Sequence, residues 1–325
     1  MARSKDTQTI RVVHPICCGL DVHKKSISAC LLTVNSEGFE ESEIREFGTF
    51  TKDLVELKNW LLDKGCPLVG MESTGVYWRP VHNVLEGSLN VILVNARHVK
   101  NVPGRKTDVS DCAWLAGLVK HGLVKGSFIP EKKVRQWREL ERLRRTHTET
   151  VGDYKRRVHK LFETANIKID SVMTDLFGVT GRNLIGLLCD EKSQVSVEDI
   201  ERCARGSLRF KVEELVKSIQ GFFEDHHRFP LRGMMRIISE LEQEVHSITE
   251  RLRHLMKPHE ELISRLDQLP GVNEVAAQSV ISNLGVTLKE FPSMAALSCW
   301  AGLCPGNNES AGKQKSGRHP VRSHP

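Results

Sequence analysis

Short apolar blocks separated by polar turns run through the first part of the chain. The segments ICCGLDV (16–22) and SISACLLTV (26–34) predict two adjacent strands, and EFGTF (46–50) predicts a third. The runs PLVGMES (67–73) and NVILVN (90–95) are apolar without alternation, which is typical of parallel strands that are covered on both faces. The pattern therefore predicts a five-stranded sheet in this region.

Helical periodicity fills the gaps between these strands. The segment TKDLVELKNWLLDKG (51–65) places its leucines at helical spacing, and DVSDCAWLAGLVKHG (108–122) continues with a second helical pattern. A further helix pattern separates the fourth and fifth predicted strands. The resulting order, βββ-α-β-α-β-α, predicts an α/β sheet that opens with an antiparallel meander. We place this domain at residues 1–128.

Two heptad-like apolar patterns follow, about a hundred residues apart. The first covers residues 151–161 and the second covers residues 238–255. Such a pair is typical of an antiparallel coiled coil within one chain or of a seam between subunits. An ordinary amphipathic bundle fits the same spacing, because neither run reaches four clean heptads. We predict a long helical, coiled-coil middle region at 129–260.

The last part of the chain has two short helical patterns around LPGV (269–272). This arrangement is similar to a helix-hairpin-helix, in which Gly271 lets the backbone approach a phosphate near the next helix N-terminus. A plain helical hairpin is the commoner outcome of such a pattern. The segment NNESAGKQKSGR (307–318) is polar and rich in small residues. We assign residues 261–325 to a small α-helical C-terminal domain.

Basic residues are concentrated in one block of the chain. The net charge is +6, but 17 Lys or Arg and only 7 Asp or Glu lie between Arg97 and Lys160. A polyanion is the natural partner of such a block, because neutralising phosphates releases counterions, although a solvated helix face fits the charge run equally well. The candidate nucleic-acid-binding residues are Lys106, Arg138, Arg142, Arg145, Lys155, Arg156, Arg157, Lys313, Lys315 and Arg318.

Composition excludes several classes of protein. The chain has no run of about eighteen apolar residues, and its N-terminus lacks the apolar segment of a secretion signal, so we predict no membrane span and no secretion. The nine cysteines form no CxxC pair, which argues against zinc and fits free thiols in a reducing compartment. The histidines show no ligand spacing, and we interpret His23 as a surface or packing residue.

Four carboxylates stand at strand ends or in a helical segment of the first domain. Asp21 ends the first predicted strand, Glu72 ends the fourth, and Asp108 and Asp111 are three residues apart, so that they project from one helix face. A single strand-end Asp is usually a turn residue, but four carboxylates repel one another unless a cation lies between them. Oxygen ligands suit Mg²⁺ or Mn²⁺, and two such ions can clamp a phosphodiester. We predict a metal site here, with Lys106 beside it to hold a phosphate.

Three motifs of the first domain carry a family resemblance. GLDVHK (19–24), MESTGVYW (71–78) and KTDVSDCAWLA (106–116), in this order, resemble the DEDD transposases of the insertion sequence 110 family. The resemblance extends into LPGVNEVAAQSVISNLG (269–285) and WAGLCPGNNESAGKQKSGR (300–318). It implies an RNase H-like (RuvC-like) fold for the first domain. It also implies that the same four carboxylates form the metal-binding tetrad of the family.

The resemblance also implies a reaction and partners. Members of the family are taken to use a serine nucleophile in the C-terminal domain, and the matching residue is Ser310. The implied protein is a DNA transposase, or site-specific recombinase, that cleaves and exchanges donor and target DNA by transesterification. A structured guide RNA from the element's own flank would choose the sites. The implied protein is bacterial, cytoplasmic and nucleoid-associated, and acts as a homodimer or homotetramer.

Two other functions stay open at this point. A metal-dependent, structure-selective DNA nuclease of the Holliday-junction-resolvase kind would use the same tetrad with water as nucleophile, and would not need Ser310. An inactive relic of a mobile element would bind nucleic acid without cleaving it. The relic gains weight from the ending HPVRSHP (319–325), because family members usually continue through further helices. We therefore expect a truncated C-terminal domain with low local order after about Pro305.

Overall fold

The computed structural model describes residues 11–73, 75–95, 110–124, 126–190, 195–289, 291–304, 308–310 and 313–316. The chain divides into two compact units, Met1–Ile129 and Pro130–Pro325. Each unit is described by itself below. The division into three domains, at 1–128, 129–260 and 261–325, stays a prediction.

The first unit is built on a mixed sheet of six strands in the order β3-β2-β1-β4-β5-β6. The strands are β1 (Ile16–Val22), β2 (Ile27–Val34), β3 (Glu40–Phe47), β4 (Leu68–Glu72), β5 (Asn90–Val94) and β6 (Gly126–Ser127). The first three strands form an antiparallel meander, while β1, β4 and β5 are parallel neighbours and β6 pairs antiparallel with β5. This sheet confirms the predicted RNase H-like α/β fold of the N-terminal part.

The third strand lies earlier in the chain than the apolar pattern predicts. EFGTF (46–50) was the expected strand, but β3 ends at Phe47 and covers the acidic sequence EESEIREF. It stands at the edge of the sheet and pairs only with β2. An edge strand needs few apolar residues, and charged side chains there oppose pairing with other chains. The apolar signal was therefore misleading at this strand.

Helices cover both faces of this sheet. They are α1 (Thr51–Asp63), α2 (Trp78–Leu85) and α3 (Asp111–Lys120). Leu57 of α1 and Leu85 of α2 share a buried cluster with Leu20 of β1 on one face. Leu115 of α3 shares a second cluster with Cys17 of β1 on the other face. Residues an odd number of positions apart on β1, such as Cys17 and Leu20, thus pack into opposite cores, as the two-residue period of a strand requires.

Two glycines allow α3 to lie directly on the sheet backbone. A Cβ atom added at Gly19 would overlap the carbonyl oxygen of Cys112 and lie 2.5 Å from the amide nitrogen of Ala116. A Cβ added at Gly70 would lie 2.5 Å from Cγ2 of Val119. Both are closer than a Cβ can approach another atom without something shifting. The missing side chains therefore set the distance between α3 and strands β1 and β4.

The second unit contains two long helices that pair within the chain. They are α4 (Lys132–Thr164) and α9 (Asp225–Leu255). Trp137, near the start of α4, shares a cluster with Leu252 near the end of α9. Phe162, near the end of α4, shares another cluster with Leu231 near the start of α9. The two helices are therefore antiparallel, which is one of the two arrangements that the heptad-like spacing predicted.

Shorter helices complete the second unit. Between the long pair lie α5 (Ile169–Val172), α6 (Val179–Cys189), α7 (Val197–Cys203) and α8 (Val212–Ile219), and after it lie α10 (Glu260–Asp267), α11 (Glu274–Leu284) and α12 (Met294–Trp300). Short 3₁₀ helices, Gly206–Lys211 and Lys257–His259, precede α8 and α10. In the described parts of the chain, no helix is both long and apolar enough to cross a membrane.

A short hairpin follows α12. Its strands are β7 (Asn308–Ser310) and β8 (Lys313–Ser316), with Ser310 opposite Lys313. The sequence analysis predicted no strands here, because small polar residues give no alternating pattern. The expectation of low local order after Pro305 falls largely on 305–307, 311–312 and 317–325, which lie outside the described residues.

We predict that Gly19→Ala destabilises the first unit by about 1–3 kcal/mol in the free energy of unfolding. The added methyl group meets backbone atoms of α3, which cannot rotate away as a flexible side chain can. Urea unfolding of the full chain, followed by circular dichroism, measures the change.

The matched control is Gly117→Ala in α3, the helix that packs against Gly19. A Cβ at Gly117 meets nothing within 4 Å, and Ala favours a helix over Gly by about 0.5–1 kcal/mol. The control is expected to be as stable as the original chain or more so. Equal free energies of unfolding of the two variants would contradict the close packing of α3 against β1.

Candidate active site and nucleic-acid surface

Two of the four predicted carboxylates follow neighbouring parallel strands in register. The pairing of β1 with β4 ends at Leu20 opposite Met71, and Asp21 and Glu72 come next on each strand. Because side chains alternate along a strand, Asp21 lies on the same face as Gly19, which is the face that α3 covers. The same alternation puts Glu72 on that face. Both carboxylates therefore lie at the carboxyl ends of neighbouring strands and on the same face of the sheet.

The third carboxylate starts the helix that covers this face. Asp111 is the first residue of α3 and is exposed. The next residue, Cys112, has its carbonyl oxygen against Gly19. Gly19 is two residues before Asp21, or about 7 Å along a strand. The start of α3 is thus fixed near the strand end that carries Asp21, although an acidic residue in a first helical turn also serves simply to stabilise the helix dipole.

A histidine that the sequence analysis set aside contacts this site. Nε2 of His23 lies 3.1 Å from Oδ2 of Asp21, and the two side chains are 67% and 27% exposed. Residues two apart at a strand end lie on the same side, so the Asp-x-His spacing was the signal that could have found the contact. The imidazole fixes one oxygen of the carboxylate and leaves the other for a further ligand.

The rest of the predicted site is only partly placed. Asp108 and Lys106 lie outside the described residues. The part of the chain that the structure describes contains no group of three or more His, Cys, Asp or Glu side chains arranged to hold a metal ion. The convergence of all four carboxylates therefore stays a prediction. The donor set itself, oxygen atoms of carboxylates, fits Mg²⁺ or Mn²⁺.

Thiols buried on both faces of the sheet do not compete as ligands. Burial raises the pKa of Cys17 to about 12 and the pKa of Cys30 to about 11. Burial also raises the pKa of Cys18 and of Cys66. These thiols are protonated at neutral pH, and a protonated thiol is a poor metal ligand. The oxygen atoms at the strand ends therefore dominate the chemistry of this region.

Family models match both ends of the chain. One, an IS110-type DEDD transposase model described as "Transposase", matches residues 18–167, and another, described as "Transposase IS116/IS110/IS902 family", matches residues 263–325. Together the two matches cover more than half of the chain. The chain belongs to the IS110 family of transposases. The family and the enzyme class that the motifs predicted are thereby confirmed.

Comparisons with individual proteins add little. The resolvase of fowlpox virus, solved with its substrate Holliday junction DNA, is 14% identical to this IS110-family chain, with a TM-score of 0.22. The match covers 28% of this chain and 65% of the resolvase. A likeness this weak carries no argument. No curated protein matches the chain.

The serine that the IS110 family implies lies in the second unit. Ser310 ends β7, and the three carboxylates that are described belong to the first unit. The predicted phosphate ligands Lys313 and Lys315 lie on β8, and Arg318 lies outside the described residues. The candidate nucleophile and the candidate metal ligands are therefore carried by different units of the chain.

Two of the predicted nucleic-acid-binding residues hold helices together. The guanidinium of Arg138 donates hydrogen bonds to the carbonyl oxygens of Ser282, at 3.0 Å, and of Asn283, at 2.6 Å, in the last turn of α11. Burial lowers the pKa of Arg138. Nζ of Lys155 lies 3.0 Å from a carboxylate oxygen of Glu242 on α9. Both side chains therefore have structural partners within the second unit.

An arginine that the sequence analysis did not single out is buried and links two helices. Arg144 is only 3% exposed, and it forms an ion pair with Glu141. Its guanidinium also donates to Oε1 of Gln278 at 2.7 Å and to Oγ of Ser279 at 3.3 Å. A buried charge needs such partners, because losing one of them leaves an uncompensated charge. The network fastens α11 to α4.

The remaining predicted residues on α4 are exposed. They are Arg142, Arg145, Arg156 and Arg157. Arg145 pairs with Glu149 at 2.9 Å, Arg156 pairs with Asp153, and Arg157 lies over the ring of Tyr154 at 5.1 Å. Exposed ion pairs contribute little to stability, so these arginines can exchange their partners for phosphates at small cost. They form the basic surface of α4.

The predicted helical hairpin is present near the C-terminal end. Helices α10 and α11 flank Gly271, which has a φ of 82°. The side chain of Asn273 accepts a hydrogen bond from the amide of Ala276 at 2.9 Å and caps α11. One of the free amides at this helix start is thus already satisfied by the protein. Phosphate binding at the hairpin stays a prediction.

We predict that Asp21→Asn and Glu72→Gln each weaken Mn²⁺ binding by at least about tenfold, because each removes a charged oxygen ligand. Calorimetric titration of the full chain with Mn²⁺ measures the affinity, and circular dichroism confirms that each variant is folded.

Asp63→Asn is the matched control. Asp63 is an exposed carboxylate at the end of α1, which packs on the opposite face of the sheet. Its variant is expected to bind Mn²⁺ like the original chain. Unchanged binding in both Asp21→Asn and Glu72→Gln would remove the metal site from this edge.

Proposed function

We propose that this chain is a DNA transposase that cleaves donor and target DNA strands and joins them in a new combination. The observation that carries the proposal is the register of β1 and β4. It places Asp21 and Glu72 on the same face of the sheet, at the carboxyl ends of the two strands. The start of α3 with Asp111, held near Gly19, supports the same site. Membership of the IS110 transposase family makes DNA the expected substrate.

The proposed site binds Mg²⁺ or Mn²⁺ through Asp21, Glu72, Asp108 and Asp111. When bound, the metal supplies positive charge that stabilises a phosphodiester under attack. His23 orients the Asp21 carboxylate through their 3.1 Å contact. Lys106 holds a phosphate oxygen beside the site.

Ser310 is the proposed nucleophile. Its oxygen forms a bond to phosphorus as the bond between that phosphorus and one neighbouring sugar oxygen breaks. The serine loses its proton, and the departing oxygen gains one and becomes a free hydroxyl. A hydroxyl of a different strand then reverses the step and releases the serine. The energy of the phosphodiester is kept in the phosphoserine ester, so the exchange needs no nucleotide cofactor.

The proposed protein assembles from several copies and binds nucleic acid. Ser310 and the carboxylates are carried by different units of the chain, and the proposed protein acts as a homodimer or homotetramer. A structured guide RNA selects the donor and target sites. The exposed arginines of α4, with Lys313, Lys315 and Arg318, bind its phosphates or those of DNA. Such a protein acts in the bacterial cytoplasm, at the nucleoid.

We predict that the purified chain, given end-labelled donor DNA and Mn²⁺, forms a covalent protein–DNA adduct that Ser310→Ala abolishes. Loss of the hydroxyl removes the only protein atom that the proposal allows to bond phosphorus. A denaturing gel of the labelled DNA measures the adduct.

Ser316→Ala, on the paired strand of the same hairpin, is the control and is expected to keep the adduct. An undiminished adduct in Ser310→Ala would assign the nucleophile elsewhere. Free DNA ends without any adduct would favour the hydrolytic nuclease. Binding of DNA without cleavage, with every divalent ion tried, would favour the inactive relic.

We also predict that a discrete RNA, encoded beside the gene, accompanies the protein when it is purified from its host. Replacing Arg142, Arg145, Arg156 and Arg157 with Gln is expected to reduce the recovered RNA at least about tenfold, because phosphate contacts dominate such binding. Sequencing and quantifying the bound RNA test this.

Arg236→Gln is the control for charge alone, since Arg236 is 75% exposed on α9. It is expected to leave the recovered RNA within about twofold of the original. A random mixture of host RNA, or equal loss in the control, would contradict a guide RNA on the basic surface of α4.

A further inference from the structure

Two of the nine cysteines differ from the other seven. Cys299 is exposed in the last turn of α12, and Cys304 is partly exposed just beyond it. Their sulfur atoms are 2.9 Å apart. Six others are buried, namely Cys17, Cys18, Cys30, Cys66, Cys112 and Cys203, and Cys189 is partly buried. Cys299 is thus the one exposed thiol of the nine, and Cys304 and Cys189 are the two of intermediate exposure. Of these two, Cys304 lies against Cys299.

The turn after α12 brings these two thiols together. Gly302 has a φ of 75°, a conformation that glycine adopts without strain, and the chain reverses there. The amide of Leu303 donates to the carbonyl oxygen of Ser298 at 3.0 Å, and the amide of Gly302 donates to that of Cys299 at 3.2 Å. The backbone of the turn, and not a chance rotamer alone, returns the chain at Cys304 to the helix end.

We propose that Cys299 and Cys304 are an oxidation site that closes to a reversible disulfide bond. The 2.9 Å separation lies between the bonded distance of about 2.05 Å and the separation of about 3.8 Å between two thiolates on a tetrahedral zinc ion. The sulfur atoms are therefore too close for a shared metal ion. They need to move by less than about 1 Å to bond directly.

The other cysteines are protected from the same chemistry. The thiolate is the form that reacts with oxidants, and burial raises the pKa of Cys189 and of Cys203. Burial likewise raises the pKa of the thiols on both faces of the sheet, as described above. Oxidation should therefore begin at the exposed pair and stop there.

A peroxide is the proposed oxidant, and the reaction balances without any other reagent. One thiolate attacks a peroxide oxygen, which gives a sulfenic acid and, for hydrogen peroxide, one hydroxide that takes a proton to become water. The second thiolate attacks the sulfenic sulfur and expels its oxygen as a second water. Two thiols are oxidised, and one peroxide is reduced. In a reducing compartment, thiol exchange restores the pair, so the bond is transient.

The disulfide needs nothing from the transposase reaction. Its position nevertheless links it to the proposed nucleophile, because Cys304 is six residues before Ser310 in the chain. A bond from Cys304 to α12 fixes the point from which the chain leads to β7. Oxidation would thereby restrict the segment that carries the serine, and this consequence rests on the proposed function.

The test uses the full chain treated with hydrogen peroxide and digested with trypsin without reduction. Residues 290–313 form one tryptic peptide that contains both cysteines. The expected product is this peptide, lighter by the mass of two hydrogen atoms and restored to its original mass by dithiothreitol. A native thiol titration with Ellman's reagent should lose two fast-reacting groups after the same treatment.

Cys304→Ser is expected to stop the loss of two hydrogens and to leave Cys299 as a sulfenic acid, which dimedone traps. Cys189→Ser is the control and should behave like the original chain. The proposal would be overturned if the peptide kept its reduced mass, if each cysteine were oxidised singly in the original chain, or if fast thiols other than this pair were lost. These outcomes are read without DNA, so they are separate from the outcome of the Ser310 experiment.

Discussion

The close packing of α3 against the sheet is the constraint on which the candidate active site depends. Gly19 and Gly70 lack the side chains that would hold the helix away. The backbone of α3 occupies the space at Gly19, and the side chain of Val119 occupies the space at Gly70. The helix then starts where β1 ends, so that Asp111 and Asp21 arise from neighbouring parts of the fold. The parallel register adds Glu72 at the same edge. Strand register and helix packing thus place Asp21 and Glu72 on one face at the ends of neighbouring strands, and place the start of α3 near Asp21.

The second unit shows how a strongly basic segment divides its charge between buried structural side chains and exposed ones. Arg144 is buried in a network that holds α11, and Arg138 donates to the end of the same helix. Lys155 pairs across to α9. At the surface of α4, Arg145 and Arg156 pair with the exposed Glu149 and Asp153, and water and salt weaken such pairs. The exposed positive charge of α4 is therefore smaller than the composition of the segment indicates, and it belongs to fewer residues.

The chain also separates its reactive groups by environment. Oxygen ligands stand at the ends of rigid strands in the first unit, where the core on both faces fixes their backbone. The candidate serine lies on a short hairpin after a thiol-containing turn. The buried thiols on both faces of the sheet stay protonated at neutral pH, whereas Cys299 near the end of α12 is exposed to solvent.

The sequence by itself determined the α/β organisation of the first unit, the presence of long helices after it and the family, because apolar period and motif order are local properties of the chain. It could not locate β3, since the position of a strand at a sheet edge relaxes the need for apolar residues. Tertiary structure alone decided that Arg144, not Arg142 or Arg145, is buried, because all three belong to one basic run and only the packing of α11 distinguishes them. It also decided that His23 meets Asp21 and that Cys299 meets Cys304. The first contact follows from the end of a strand, which makes the Asp-x-His spacing meaningful, and the second depends on the turn at Gly302, which spacing along the chain does not specify.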